Sequence, residues 1–132
     1  YAIDFYERAF CAVELGPRMT GPDGTFGHAR IRIGDSVIML ADEWPGGPTH
    51  SPTTLGGTTA ALMLYVDDAE AAWRRAIDAG AEEVFPLELQ FYGEKGGRVR
   101  DPFGHTWGIS QQVEVVDDAE MERRMAAFFE EQ

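Results

Sequence analysis

Apolar and polar residues alternate along Phe26–Ile33, which is the pattern of a half-buried β-strand. Gly34 and Asp35 follow and predict a two-residue hairpin loop into a second strand over Ser36–Ala41. A loop of this length fixes the register, pairing Ile33 with Ser36, Arg32 with Val37, Ile31 with Ile38, and Arg30 with Met39. One face then carries Ile31, Ile38 and Leu40 toward a helix. The other face carries Arg30, Arg32, Val37 and Met39. It either lines a cavity or is exposed to solvent, with the aliphatic parts of the arginine side chains lying along it.

Three segments show helical periodicity. Residues 2–12 place Ile3, Tyr6 and Phe10 on one face. A second helix begins at a capping box of Asp67 and Glu70 and ends at Gly80, and a third, acidic helix is predicted over Asp117–Glu130. Further strands are predicted at Val13–Met19, Ala60–Val66 and Glu83–Leu89, and on both sides of the turn Asp101-Pro102-Phe103-Gly104. Pro86 places the strand over 83–89 at a sheet edge or a bulge.

The chain contains an internal repeat. Residues 2–12 superpose without gaps on residues 69–79, at an offset of 67, and each helix is followed by three predicted strands. In the second half, the strand over Ala60–Val66 precedes the helix. Its counterpart in the first half would lie before Tyr1, so we expect the natural protein to begin earlier and to supply that strand.

Composition and charge narrow the classes of function. A chain of 132 residues is expected to form one domain. Its net charge of −12 argues against nucleic acid as a partner and against binding to anionic membranes. The longest apolar runs are too short to span a bilayer. The single cysteine, Cys11, rules out an internal disulfide and fits a cytoplasmic location.

Several short motifs, in this order and spacing, resemble those of one enzyme superfamily. They are residues 3–10 (IDFYERAF), Gly27-His28-Ala29, Ile33-Gly34-Asp35-Ser36, Met39-Leu40-Ala41-Asp42, Leu64-Tyr65-Val66-Asp67-Asp68, Phe91-Tyr92-Gly93, and Asp101-Pro102-Phe103-Gly104-His105 with Trp107. The chain is similar to the vicinal-oxygen-chelate superfamily, which includes glyoxalase I, extradiol dioxygenases and bleomycin-resistance proteins. It looks most like the small bacterial members of PhnB type.

The resemblance implies an α+β fold in which two βαβββ modules form a curved mixed sheet around a cavity. Module 1 would cover residues 1–42 without its first strand, a linker residues 43–58, module 2 residues 59–112, and an extra C-terminal helix residues 117–130. All of these belong to a single domain. Because dimers are common in the superfamily, the resemblance also implies a homodimer.

Enzymes of the superfamily place metal ligands, histidine or glutamate, on the first and last strands of each module. The first position falls before Tyr1, and the other three fall on Met39, Ala61 and Gly108. None of these three side chains is a donor for Zn²⁺, Ni²⁺, Mg²⁺ or Fe²⁺. His28, His50 and His105 lack metal-binding spacing and are interpreted as turn or capping residues, with His28 the best placed to reach a ligand. We therefore expect no metal and no other cofactor.

Strand alternation then predicts a ligand-binding cavity that is mostly apolar. Its residues would be Arg30, Val37, Met39, Ala61, Met63, Tyr65, Thr106 and Gly108, with Trp44 and Tyr92 at the rim. Such a lining suits an organic molecule with an aromatic or anionic part. Three hypotheses stay open: a metal-independent binding protein that sequesters a natural product or an antibiotic; an enzyme of lyase, isomerase or dioxygenase type with a metal-free or unusual metal site; and a scaffold whose own side chains fill the cavity.

Overall fold

A computed structural model describes all residues, 1–132, as four helices and eight strands. In chain order these are α1 (Ala2–Phe10), β1 (Val13–Glu14), β2 (Met19–Thr20), β3 (Phe26–Ile33), β4 (Ser36–Leu40), α2 (Pro52–Leu55), β5 (Ala61–Tyr65), α3 (Ala69–Ala79), β6 (Glu82–Leu89), β7 (Glu94–Arg100), β8 (Thr106–Gln112) and α4 (Asp118–Glu130). The strands form two four-stranded sheets, one in each half of the chain. The expected α+β class is confirmed.

The first sheet is built around the predicted hairpin. β3 and β4 pair in the expected register, with Arg30 opposite Met39 and Ile31 opposite Ile38. The segment predicted as a single strand over Val13–Met19 is instead two short strands, β1 and β2, that both pair with β3. Gly16, with a φ of +67°, and Pro17 separate them, because neither continues a regular strand.

The second sheet is mixed and has the order β5-β8-β7-β6. β5 runs parallel to β8, and the other neighbours are antiparallel. Pro86 lies in the edge strand β6, whose register against β7 shifts on both sides of Phe85, as the proline predicted. The helix between β5 and β6 begins one residue later than predicted: the Asp68 side chain, rather than that of Asp67, accepts a hydrogen bond from the Ala71 N–H.

One core joins the two halves. Ile3, Phe5, Ala9 and Phe10 of α1 are buried in the same cluster as Ala76 of α3 and Val99, Trp107 and Ile109 of the second sheet. The segment predicted as a linker contains α2, which is capped by Ser51. None of the four helices is long and apolar enough to cross a membrane.

A buried carboxylate ties α1 to the second sheet. Asp101 is 4% exposed, and its Oδ2 accepts hydrogen bonds from the Tyr6 hydroxyl at 2.5 Å and from Trp107 Nε1 at 2.9 Å. Its Oδ1 accepts from the backbone N–H groups of Phe103 and His105. Burial, together with the hydrogen bond to Asp101 and its charge, raises the pKa of Tyr6 well above its ordinary value. The hydroxyl is therefore held as a neutral donor.

Candidate functional site

In module 2 the structure brings the predicted site residues of β5 and β8 together on one face. Ala61 lies beside Thr106, Met63 beside Gly108, and Tyr65 beside Ser110. The intervening residues Trp107 and Ile109 point the other way and are buried in the core. The strand alternation read from the sequence therefore gives the correct faces for this pair of strands.

Gly108 has a specific role in this face. A Cβ atom at this position would lie 2.3 Å from the Sδ atom of Met63 and 2.5 Å from its Cε atom. The glycine thus lets the methionine side chain lie flat across the sheet. The Met63 thioether of the neighbouring strand therefore covers Gly108, the residue that the resemblance aligns with a metal ligand.

Polar side chains lie on the same face, on β7, which pairs with β8 on the side away from β5. Glu94 and Arg98 of β7 are on that face, because Arg98 is the register partner of Gly108 and Glu94 that of Gln112. Glu94 accepts a hydrogen bond of 2.6 Å from the Ser110 hydroxyl. Partial burial and the charge of Glu94 raise the pKa of the nearby Tyr92, whereas Arg98 acts in the opposite direction. Gly96 lies between Glu94 and Arg98 and is buried, and a Cβ atom there would lie 3.2 Å from the Ser110 Oγ atom.

Sequence reasoning placed Tyr92 at the rim of the site but missed Glu94 and Arg98. The signal was available in the alternation of β7. Gly97 and Val99 face the core, where Gly97 lies under Trp73. Glu94, Gly96 and Arg98 must then face the opposite side. The alternation is difficult to recognise in the sequence because β7 contains two glycines, four charged residues and only one large apolar residue.

The module 1 candidates lie on a separate sheet. Arg30, Val37 and Met39 share one face of β3 and β4, as predicted. Trp44 follows β4 and packs over Gly47, where a Cβ atom would lie 2.8 Å from the indole ring. Trp44 also borders a small pocket with Met19 and Thr20. The structure thus groups the ten predicted residues by module.

The largest cavity, about 830 Å³, lies elsewhere. It opens between β4 and β5 on the core side of the sheets and is lined by side chains such as Ile38, Leu40, Leu62 and Trp107. Met39 is the one predicted site residue in its lining. The grouping of all ten residues around one ligand therefore stays a prediction.

The superfamily's metal does not fit the donors present. Met39, Ala61 and Gly108 supply no oxygen or imidazole, and three or more His, Cys, Asp or Glu side chains nowhere converge. His105 uses its backbone N–H in the Asp101 turn, and His50 lies 3.9 Å from Glu43. These side chains therefore provide no ligand set for a divalent metal ion.

Comparisons with known proteins agree with this fold. The sequence profile of the Glyoxalase/Bleomycin resistance protein/Dioxygenase superfamily matches residues 1–109. The chain belongs to this superfamily. An uncharacterized protein of Mycobacterium tuberculosis is 46% identical over 129 residues, which are 96% of this chain and 75% of the relative.

Several solved structures resemble the chain over most of its length. TioX from Micromonospora is 28% identical, with a TM-score of 0.63 over 88% of this chain and 89% of TioX. An Arabidopsis thaliana protein is 33% identical, with a TM-score of 0.64 over 83% and 84% of the two chains. The PhnB protein of Bacillus cereus, at 19% identity and a TM-score of 0.61, shares the fold.

Proposed function

We propose that this glyoxalase-superfamily protein binds a small organic molecule with an aromatic or anionic part, and does so without the superfamily's metal ligands. Its site is the face of β5, β7 and β8 that carries Met63, Tyr65, Arg98 and Gly108. The observation that carries the proposal is the arrangement at Gly108, where the Met63 thioether lies over the residue that the resemblance aligns with a metal ligand. An apolar, polarizable surface there suits an aromatic ring rather than a cation.

The exposure of the apolar side chains supports this site. Met63 is 45% exposed and Tyr65 is 70% exposed, and Met39 on the other module is 69% exposed. Covering a side chain of this size with a ligand contributes roughly 1.5–3 kcal/mol, and a well-oriented aromatic pair adds about 0.5–1.5 kcal/mol. Exposed apolar groups on one face of a sheet are therefore a favourable surface for a flat ring.

Arg98 accounts for the anionic part of the proposed ligand, and Arg30 is the corresponding arginine on the candidate face of module 1. Arg98 on module 2 and Arg30 on module 1 each lie on a candidate face, and neither forms an ion pair within the chain. In a protein of net charge −12, a guanidinium without a carboxylate partner is an available donor for a carboxylate or sulfonate. Glu94, which accepts a hydrogen bond from the Ser110 hydroxyl, lies four residues before Arg98 on the same face and disfavours an anion there.

Replacing Tyr65 with alanine is expected to weaken binding of 2-naphthoate, a probe with one aromatic and one anionic part, about tenfold. The loss of one aromatic contact corresponds to about 1.4 kcal/mol. Isothermal titration calorimetry measures the dissociation constant. Tyr65 is largely exposed, so the fold is expected to keep its stability.

Leu62→Ala is the matched control, because Leu62 lies on the same strand but points to the other side of the sheet. It should leave the affinity for 2-naphthoate unchanged. The unaltered protein should bind the uncharged 2-naphthamide more weakly than 2-naphthoate. An Arg98→Gln variant should bind the two compounds with equal affinity. Equal losses for the Tyr65 and Leu62 variants would contradict the proposed face.

Sequestration is the mode of action that this site supports. Binding of a natural product or an antibiotic needs an apolar surface and a charge partner but no catalytic group, and the superfamily's bleomycin-resistance proteins give the precedent.

A homodimer, which the resemblance implies, belongs to the same proposal. Light scattering on the purified chain would give its mass.

A further inference from the structure

Phe85 on the edge strand β6 lies in line with the proposed site. Met63 of β5 is opposite Gly108 of β8, and Gly108 is opposite Arg98 of β7. Arg98 is in turn opposite Phe85. Because register partners point to the same side of a sheet, these four residues form one line across the four strands, which we call the cross-sheet row. It begins at a thioether, crosses a position without a side chain, and ends with an arginine beside an aromatic ring.

A β-bulge brings Phe85 onto this face. Glu83 is opposite Val99, whereas Phe85, two residues later, is opposite Arg98, which is only one residue earlier on β7. β6 therefore contains one extra residue between these two pairs. In a regular register Phe85 would be opposite Gly97, which faces the core. The bulge thus turns an aromatic side chain from the core side of the sheet to the side of the proposed site.

Phe85 is accessible to a ligand, and so is the charge next to it. The Phe85 side chain is 59% exposed, although it is large and apolar. Arg98 forms no ion pair within the chain. In a protein of net charge −12, an unpaired guanidinium beside an exposed ring is complementary to an anion that carries an apolar group on that side.

The cross-sheet row offers apolar contacts on both sides of its charge. Neighbouring strands are about 4.8 Å apart, so Met63 and Phe85 at the two ends of the row are about 14 Å apart. Arg98 is directly beside Phe85, and Gly108 separates it from Met63. A ring system that lies over Gly108 and places its anion at Arg98 contacts Met63 but is too short to reach Phe85 as well. Covering Phe85 therefore requires a second apolar group in the same ligand.

We propose that Phe85 is a specificity-determining residue, which selects organic acids with two apolar groups, one on each side of the carboxylate or sulfonate. One group would lie over Gly108 against Met63, the anion would bind Arg98, and the second group, best an aromatic ring, would cover Phe85. This inference rests on the proposed function, because it extends the same face to β6. It replaces a simple aromatic acid with a longer ligand class.

A matched pair of probes tests this assignment. N-(2-naphthoyl)phenylalanine has a carboxylate between a naphthyl and a phenyl group, and N-(2-naphthoyl)glycine lacks only the benzyl side chain. The unaltered protein is expected to bind the first about tenfold more tightly, because it gains one aromatic contact. A Phe85→Ala variant should bind the two probes with affinities within about twofold of each other. Its affinity for the glycine probe should equal that of the unaltered protein, and isothermal titration calorimetry measures all four dissociation constants.

Leu89→Ala is the matched control for the loss of an exposed apolar side chain from β6. Leu89 is 70% exposed, but its register partner Lys95 binds Glu70 of α3 on the other side of the sheet. This variant should keep the preference for the phenylalanine probe. Tyr65→Ala should weaken both probes by the same factor, because Tyr65 lies at the end of the face that would hold the naphthyl group.

The outcomes separate this inference from the proposed function. Equal binding of the two probes to the unaltered protein, or an unchanged preference in Phe85→Ala, would overturn the role of Phe85 and leave the proposed function intact. Failure of both probes to bind would contradict the proposed function, and the inference with it. If light scattering showed that Phe85→Ala converts a dimer into a monomer while both affinities stay unchanged, Phe85 would belong to a contact with a second copy of the chain, and the inference would be wrong.

Discussion

Replacing Asp101 with alanine is expected to lower the free energy of unfolding by roughly 3–5 kcal/mol. The carboxylate is buried and accepts four hydrogen bonds, from Tyr6, Trp107 and two backbone N–H groups of its own turn. Its removal leaves the Tyr6 hydroxyl and the Trp107 indole N–H buried without partners, and each such donor costs about 1–3 kcal/mol. Urea denaturation followed by tryptophan fluorescence measures the change.

The position of Asp101 makes this loss larger than that of an ordinary turn aspartate. Tyr6 lies on α1 in module 1, whereas Trp107 lies on β8 in module 2, so the carboxylate connects the two halves of the core. Tyr6→Phe removes one of the four hydrogen bonds and is expected to cost less, about 1–2 kcal/mol. If Asp101→Ala lowered the free energy of unfolding by less than 1 kcal/mol, the carboxylate would not stabilise the contact between the modules.

Replacing Gly97 with alanine is expected to destabilise the protein by about 2–3 kcal/mol, a large effect for one methyl group. A Cβ atom at this position would lie 2.7 Å from the Trp73 ring, 2.9 Å from the backbone nitrogen of Leu87 and 2.9 Å from the backbone oxygen of Phe85. Neither backbone atom can move unless β6 moves with it. The substitution therefore forces β6, β7 and α3 apart.

Gly57→Ala is the control for the general effect of replacing a glycine in this chain. A Cβ atom at Gly57 would meet nothing within 4 Å, and its backbone is not in the left-handed region. Its melting temperature should stay within about 2 °C of that of the unaltered protein. A melting temperature of the Gly97→Ala variant as close to that of the unaltered protein would contradict the close packing of α3 and β6 against β7.

Local patterns predicted those parts of the fold that local chemistry decides. The Gly34-Asp35 loop fixed the register of β3 and β4, and the alternation in β5 and β8 gave the faces of Met63, Tyr65 and Gly108. The last helix was predicted to begin at Asp117, and this residue is its N-cap, with a side chain that accepts a hydrogen bond from the Glu120 N–H. A turn, a cap or a strand face depends on residues a few positions apart.

Local patterns could not predict the features that depend on contacts between residues distant in the sequence. Asp68 caps α3 instead of Asp67, and the Ala69 N–H, which follows the cap, donates to the Gln111 side chain of the second sheet. The largest cavity lies between β4 and β5 because of how two sheets meet, which no periodicity encodes. The roles of Glu94 and Arg98 depend on the pairing of β7 with β8.

The most direct test of the proposed metal-free site uses the five methionine methyl groups as probes in nuclear magnetic resonance. The protein is labelled at the methionine methyl carbons and titrated with 2-naphthoate in the presence of a chelator. Met63 lies in the proposed site and Met39 on the candidate face of module 1, whereas Met121 and Met125 lie on α4. A saturable shift at Met63, with Met121 and Met125 unchanged, is the predicted result, and a simultaneous shift at Met39 would show that the ligand also contacts module 1. An unmoved Met63 resonance, or a shift that requires an added divalent cation, would contradict the account.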